Sequence, residues 1–227
     1  MAADVVTVNI FLQACPVPAG DTPSKRSYHH GDLRAALLDA AIEVIGERGL
    51  HGLSLRECAR RADVSHAAPY RHFADKNALL LAIARRGFER LAAAGVAAMD
   101  GVGDPRDRLD AYGVAYVRFA VDNPVLFRVM FTAELDAAEG VEAGHVVDKG
   151  GEEGDEAGAF ELLVESAAAL IDDGDDPREA ALAAWSLPHG LAMLVLDGRI
   201  PPAEAATPAQ VERLMRTIFA AWRGPLS

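Results

Sequence analysis

The chain has 227 residues, of which 51% are hydrophobic and 25% charged, proportions that suit a globular protein with one small and one larger domain. Two cysteines exclude a disulfide framework. Residues 25–90 hold 12 Lys/Arg against 8 Asp/Glu, whereas residues 91–227 hold 10 against 24, and the net charge of the chain is −12. A basic end on an acidic body would turn that end toward a polyanion, and the acidic remainder argues against binding to a membrane surface.

Residues 1–24 predict a loose extension, because prolines and a glycine interrupt them and they lack the basic-then-apolar order of a signal peptide. We therefore expect a cytoplasmic protein, which agrees with the low cysteine content. Two readings remain open for the residues that follow. Tyr28 and His29 either lie as an arm along the backbone or minor groove of a nucleic-acid duplex, one polyanion that a basic end could meet, or are simply solvated.

The first two predicted helices have clear end signals. One runs from Asp32 to Arg48 on a single apolar stripe and stops at Gly49. Ser54 and Glu57 have the spacing of a capping box, in which each side chain satisfies a backbone N–H at the start of the next helix. The apolar face of this second helix turns inward and leaves three arginines nearer the outside, Arg56, Arg60 and Arg61.

A sharp turn and a third, shorter helix are predicted next. The second helix should stop near Asp63, because aspartate tolerates left-handed backbone, and Ser65 is a good cap for a helix of barely two turns. Pro69 lacks an N–H, which costs little near the first turn of a helix. The pair predicts a helix-turn-helix unit, whose second helix enters the major groove. A hairpin buried for packing alone is the alternative, but it would bury several arginines and histidines.

Side chains suited to DNA cluster in this unit and at its borders. A hydroxyl or imidazole exchanges hydrogen bonds with base edges, and an alanine methyl contacts a thymine methyl. Lys76 lies in the first turn of the following helix, where a cation opposes the helix dipole unless a phosphate neutralises it. The predicted DNA contacts are Tyr28, His29, Ser54, Arg56, Ser65, His66, Ala67, Ala68, Tyr70, Arg71, His72 and Lys76.

Three segments of the chain resemble the TetR family of bacterial transcription regulators. They are Tyr28–Arg34, Val64–Phe73 and Asp75–Leu80, within a match that extends over residues 28–90. Asp63 stands where the family usually has glycine, which is a mild departure. The resemblance implies an all-helical homodimer with N-terminal DNA-binding domains and a C-terminal domain that dimerises and usually holds an effector pocket.

Most of the remaining helices are marked by proline at the first helical position after a capping residue. Asp75 caps a long helix that reaches about Ala98. Further helices are predicted near residues 105–121, 124–134, 157–172, 177–198 and 208–223. Residues 136–157 are rich in glycine and glutamate and predict no packed element.

Large apolar side chains on adjacent predicted helices indicate a pocket with one polar contact. Its predicted lining is Phe119, Phe127, Met130, Phe131, Trp185, His189 and Met193. The alternative is an ordinary core, in which His189 bonds a carbonyl freed by Pro188. The pattern of Trp185 with His189 and Gly190 also resembles a TetR subgroup whose C-terminal domain has a tryptophan and a His-Gly pair.

Two helices near the C-terminus predict a subunit interface. Residues 180–196 are apolar nearly all round but too interrupted to span a bilayer, so they must be buried on every side. The last helix has an apolar stripe larger than one small chain needs, and two copies of both helices would form a four-helix interface. The predicted interface residues are Trp185, Leu191, Leu194, Val211, Leu214, Met215, Ile218, Phe219 and Trp222.

These patterns together predict an all-α protein of about nine helices, with an extension over 1–24, a three-helix DNA-binding domain over 25–75 and a dimerisation and effector domain over 76–227. The predicted function is that of a homodimeric repressor, which binds double-stranded DNA at a near-palindromic operator and responds to an unknown small molecule. No metal, cofactor or catalytic site is predicted, because no ligand spacing, nucleophile-and-base pair or phosphate loop is present. An all-helical carrier or enzyme that keeps the helix-turn-helix as scaffold is the alternative.

Overall fold

The computed structural model describes residues 30–132, 158–172, 174–205 and 207–222. All regular elements within these ranges are helical: α1 (His30–Arg48), α2 (Leu55–Arg61), α3 (Lys76–Met99), α4 (Pro105–Asp122), α5 (Pro124–Met130), α6 (Ala159–Ala168), α7 (Pro177–Leu196), α8 (Pro202–Ala205) and α9 (Pro208–Trp222). The predicted all-α fold, with an N-terminal helix-turn-helix and a C-terminal helical domain, is confirmed. The extension over 1–24, Tyr28, His29 and residues 136–157 lie outside the described residues.

The first three helices pack around the N-terminal part of a continuous apolar core, which extends into the C-terminal helices. Its fully buried members include Leu37, Ala41, Val44, Cys58, Leu79 and Ile83. The Ser54 hydroxyl accepts a hydrogen bond from Glu57 N at 3.2 Å and so caps α2. The Glu57 carboxylate, however, binds Arg60 Nη2 at 2.7 Å, so only half of the predicted capping box forms. The turn after α2 has φ 53° at Asp63, the predicted left-handed conformation.

The long helix α3 connects this unit to the C-terminal helices. Close contacts at two of its glycines bring neighbouring helices against it. A Cβ added at Gly95 would lie 2.5 Å from Tyr112 Cδ2 of α4, and one at Gly87 would lie 2.5 Å from Met130 Sδ of α5. Two predicted helices are shorter than expected: α5 ends at Met130 instead of near residue 134, and α6 covers Ala159–Ala168 instead of 157–172.

A second apolar cluster joins α4, α7 and α9. Phe219 of α9 packs over Gly113 of α4, where an added Cβ would lie 2.5 Å from the Phe219 Cζ. Three residues predicted to meet a second subunit are buried in this cluster within one chain, so their assignment to the interface is wrong: Leu191, Val211 and Met215. The apolar stripe of α9 is used mainly to pack α9 onto its own domain. The side chain of Trp222 lies outside the described residues.

Helix α7 is long and apolar enough to cross a membrane by length and composition, with a mean hydropathy of 1.3. Only 22% of its apolar stretch of 18 residues is buried inside the chain. One such helix is weak evidence for a membrane span, because core helices of soluble proteins meet the same criterion. The sequence pattern predicts that a second subunit covers part of this helix, so the apolar face left uncovered in the single chain leaves that prediction open.

Candidate nucleic-acid interface and aromatic cluster

The residues predicted to read DNA lie in a segment, Ser65–Arg71, that is wound more tightly than expected. The Ala68 N–H donates to the Ser65 carbonyl at 2.9 Å, and Pro69–Arg71 then forms one 3-10 turn. The prediction of an α-helix of two turns is wrong here. Pro69 has no N–H to donate to the Ser65 carbonyl four residues earlier, so that carbonyl pairs with the nearer Ala68.

Two buried side chains hold this segment on the domain. Pro69 is buried, and Phe73 is only 3% exposed. The Phe73 N–H donates to the Pro69 carbonyl at 2.9 Å, which closes the segment at its C-terminal end. The Arg34 guanidinium of α1 lies 5.6 Å from the centre of the Phe73 ring, a contact that the sequence pattern did not indicate. The exposed residues of the segment therefore stand on a fixed base.

Most of the described residues predicted to contact DNA reach solvent. The exposed ones are Ser54, Arg56, Ser65, His66, Ala67, Tyr70 and Arg71. Ala68 and His72 are half-buried. Lys76 is also half-buried, and its Nζ donates to the Leu50 carbonyl at 2.7 Å. In the free chain Lys76 therefore ties α3 to the 3-10 turn Leu50–Gly52, a role that spacing alone did not predict.

The arginines of this domain fall into two groups. Arg60 and Arg61 pair with glutamates of α1 and α2, and the Arg61 side chain is only 14% exposed, so its predicted outward position is wrong. The hydrogen bond from Arg60 lowers the pKa of Glu57 to about 2 from its usual 4.5, and Arg61 adds to this effect. Uncompensated positive charge near the Ser65–Arg71 segment resides on arginines without a carboxylate partner among the described residues: Arg34, Arg56 and Arg71.

In the C-terminal domain, α4, α5 and α7 bring an aromatic cluster together around His189. The His189 ring centroid lies 4.8 Å from that of Phe131, 4.9 Å from that of Trp185 and 5.9 Å from that of Phe127. Its Nδ1 lies 2.7 Å from the Tyr116 hydroxyl. The alternative prediction, in which His189 bonds a main-chain carbonyl, is therefore wrong for Nδ1, whose partner is the Tyr116 hydroxyl. Burial lowers the pKa of His189 and favours the neutral imidazole.

A cavity of about 20 Å³ lies within this cluster, which is room for about one water molecule. Its aromatic lining consists of Phe88, Tyr112, Tyr116, Phe131, Phe160 and Trp185. Of the predicted pocket residues, Phe131 and Trp185 line the cavity, and Phe127 and His189 contact the lining.

Three other residues predicted to line the pocket lie elsewhere. Phe119 borders a separate groove between α3, α4 and α9, so the structure does not bring it together with Phe131 and Trp185. Met130 packs against Gly87, and Met193 is half-buried against the main core. Sequence reasoning also missed the two tyrosines of the lining, although Tyr112 and Tyr116 have the four-residue spacing of one helix face.

Comparisons with known proteins agree with this architecture. Residues 37–83 match the bacterial regulatory proteins of the tetR family, and residues 109–218 match the tetracyclin repressor-like C-terminal domain. The chain is 37% identical over 110 residues to the HTH-type transcriptional regulator BetI of Rhizobium meliloti (strain 1021), which covers 48% of this chain and 47% of BetI. The chain thus spans about half the length of this curated relative.

Two solved structures from Rhodococcus resemble nearly the whole chain. One, a protein of unknown function from Rhodococcus sp. RHA1, is 33% identical with a TM-score of 0.62, covering 87% of this chain and 98% of that one. The other, a bacterial regulatory protein in the tetR family from Rhodococcus RHA1, is 26% identical with a TM-score of 0.56, covering 83% and 95%. With both domains matched in order on the same fold, this chain belongs to the TetR family of bacterial transcription regulators.

Proposed function

We propose that this protein is a homodimeric repressor that binds double-stranded DNA in a sequence-specific manner and responds to a small molecule. The anchored Ser65–Arg71 segment supports this proposal most strongly. Buried Pro69 and Phe73 fix the segment, while Ser65, His66 and Arg71 are exposed. Hydroxyl and imidazole groups suit base edges, and a guanidinium suits phosphate oxygens or guanine. The domain limits 25–75 and 76–227 and a cytoplasmic location belong to the same proposal.

DNA binding is tested with the purified full chain and a pool of genomic fragments. Bound fragments are selected, and their affinity is measured by fluorescence anisotropy over a range of salt concentrations. We expect Arg71→Ala and Arg56→Ala each to lower the slope of log affinity against log salt by about 1, because each removes one neutralised phosphate. Arg106→Ala, an exposed arginine of α4, is the matched control and should leave the slope unchanged. Equal slopes for all three variants and the parent would contradict the proposed interface.

The same titration separates this proposal from its alternative. A chain that binds small molecules but forms no salt-sensitive complex with any fragment would be an all-helical carrier or an enzyme with a helix-turn-helix scaffold. Repression itself is tested by transcription from the promoter nearest the selected site. Added protein should lower transcript yield, and a raised yield would indicate an activator instead.

The proposed dimer interface is the uncovered face of α7. Leu182 and Leu194 are 48% and 47% exposed, which is unusual for leucines in a chain with a large core. Ser186 and Gly190 lie between them at four-residue spacing, and the Ser186 hydroxyl donates to the Leu182 carbonyl at 2.7 Å instead of facing a partner group. A strip of two leucines around two small residues suits close packing of a second copy of the same helix. Leu194 remains a predicted interface residue, together with the half-buried Trp185, Leu214, Ile218 and Phe219.

Dimerisation is tested by sedimentation analysis of charged variants. Leu182→Glu and Leu194→Glu should each convert the protein to monomers, because a carboxylate would be buried in an apolar interface. Val96→Glu is the matched control, since Val96 is 56% exposed but lies on α3, away from α7. If Leu194→Glu leaves the sedimentation unchanged, α7 is not the interface.

Helix α5 is the proposed link between a bound effector and DNA. It touches three regions with seven residues. A Cβ at Gly46 of α1 would lie 3.4 Å from Val125 Cγ2, and Phe127 packs in the aromatic cluster. Arg128 Nη2 donates to the Leu196 carbonyl at 2.6 Å at the end of α7. A ligand that moves the aromatic rings would therefore shift α5 against the DNA-binding domain, with an expected coupling of about 1–3 kcal/mol.

A further inference from the structure

An arginine of α1 stands at the border of the Ser65–Arg71 segment without being part of it. Arg34 lies in the second turn of α1 and is exposed. Its guanidinium carbon, Cζ, lies 5.6 Å from the centre of the Phe73 ring, which is within the range of a cation–π contact. The Phe73 N–H donates to the Pro69 carbonyl, so the ring belongs to the fixed base of the segment. The positive charge of Arg34 is thus attached to the same base as the exposed residues of the segment.

No carboxylate neutralises this charge in the described part of the chain. The acidic side chains farther along α1 bind other arginines. Asp39 pairs with Arg86 of α3, and Glu47 pairs with Arg61 of α2. The guanidinium of Arg34 therefore keeps its five N–H donors available for an anion from outside the chain.

The Phe73 ring restricts the positions that the Arg34 guanidinium can take. A planar, weakly hydrated guanidinium stacks on an aromatic face, whereas a compact ammonium group keeps its water. An exposed arginine side chain loses rotamer freedom when it binds an anion, and this loss of entropy opposes binding. Because the Arg34 guanidinium already lies against Phe73 in the free chain, part of that loss has occurred before an anion binds.

We propose that Arg34 binds a phosphate of the DNA backbone beside the groove that the Ser65–Arg71 segment enters, and that Phe73 is its positioning residue. The inference rests on the DNA binding proposed above and adds a contact from α1 that the sequence pattern did not predict. A phosphate is the expected partner because Arg34 lies outside the segment whose side chains suit base edges, and backbone phosphates border each groove. Two parallel N–H groups of a guanidinium bind two phosphate oxygens at once.

Salt titrations of the full chain on one selected operator test the contact with two variants of Arg34. Arg34→Ala should weaken binding about tenfold and lower the slope of log affinity against log salt by about 1, because one phosphate is no longer neutralised. Arg34→Lys keeps the charge, so the slope should stay; binding should still weaken about three- to tenfold, because an ammonium group neither stacks as well nor binds bidentately. The control Arg106→Ala should match the parent. A parental slope for Arg34→Ala, or parental affinity for Arg34→Lys, would overturn the inference.

A double-variant cycle tests the role of Phe73. Phe73→Leu keeps an apolar side chain in the core but removes the aromatic face. It should weaken operator binding by a larger factor in the parent than in Arg34→Ala, because part of its effect passes through Arg34. The same factor in both backgrounds would refute the positioning role. Urea unfolding of each variant shows whether it folds, and a loss of stability with an unchanged salt slope for Arg34→Ala would mean that Arg34 is structural only.

The same titrations separate this inference from the DNA binding on which it rests. If Arg71→Ala and Arg56→Ala lower the salt slope but Arg34→Ala does not, the contact from α1 is refuted and the proposed interface stands. If the unmodified chain forms no salt-sensitive complex with any fragment, the proposed DNA binding itself is refuted.

Discussion

Replacing Gly190 by alanine separates the stability of one chain from that of the proposed dimer. Within the chain, a Cβ added at Gly190 meets no heavy atom within 4 Å. Alanine is favoured over glycine in a helix interior by about 0.5–1 kcal/mol, so the monomer should become more stable. If a second α7 packs on this face, the same methyl group overfills a close helix contact, at a cost of about 1–3 kcal/mol.

Sedimentation equilibrium and urea unfolding at two protein concentrations measure both effects. The dimer dissociation constant of Gly190→Ala should rise about 5- to 150-fold, while unfolding at low concentration shifts to higher urea. Gly46→Ala is the matched control: Gly46 lies inside α1, where the added Cβ makes an ordinary 3.4 Å contact, so stability should rise without a change in dimerisation. An unchanged dimer constant for Gly190→Ala would refute the placement of the interface on this face.

Two further predictions concern the interior of the C-terminal domain. Gly95→Ala should lower the free energy of unfolding by about 1–3 kcal/mol, because the new Cβ meets the Tyr112 ring, which its hydroxyl bond holds in place. Gly87→Ala should cost less, since the flexible side chain of Met130 can yield; equal losses in urea melts would contradict this reasoning. Burial lowers the pKa of His189 in the folded chain, so the unfolded chain takes up that proton first as pH falls below the usual 6.5. The His189→Asn variant should therefore lose less stability than the unmodified chain as the pH falls. If thermal melting shows the same change in Tm with pH for both proteins, the prediction is wrong.

The positions of most helices follow from local signals that the structure respects. Asp75 and Asp104 accept backbone hydrogen bonds at the helix starts that their spacing predicts, from Ala78 N at 2.8 Å and Asp107 N at 3.0 Å. The tight winding after Ser65 was harder to predict. It depends on which N–H donates to the Ser65 carbonyl, because Pro69 has no N–H and Ala68 donates instead. Local propensity does not decide that competition.

Partner choice between helices could not be predicted from periodicity. The stripe containing Val211 and Met215 would be equally apolar in sequence if it packed against a second subunit or against α4 of its own chain. The structure shows that it packs against α4. The prediction of the residues that line the cavity was incomplete for a similar reason. Phe119 is apolar and aromatic, as a pocket residue should be, but it lies on a different side of α4 from Tyr112 and Tyr116. The prediction considered mainly phenylalanine and methionine and therefore missed these two tyrosines.

Quantitative footprinting and operator-binding measurements test whether two copies of the Ser65–Arg71 segment bind DNA about a two-fold axis. If the Ser65–Arg71 segment is present twice about a two-fold axis, two protected half-sites should lie about one helical turn, roughly 34–36 Å, apart. His66→Ala should then weaken operator binding by about 1–3 kcal/mol while affinity for random DNA stays nearly constant. Protection of a single site, or an equal loss of affinity for operator and random DNA, would rule out sequence-specific binding by two copies of this segment.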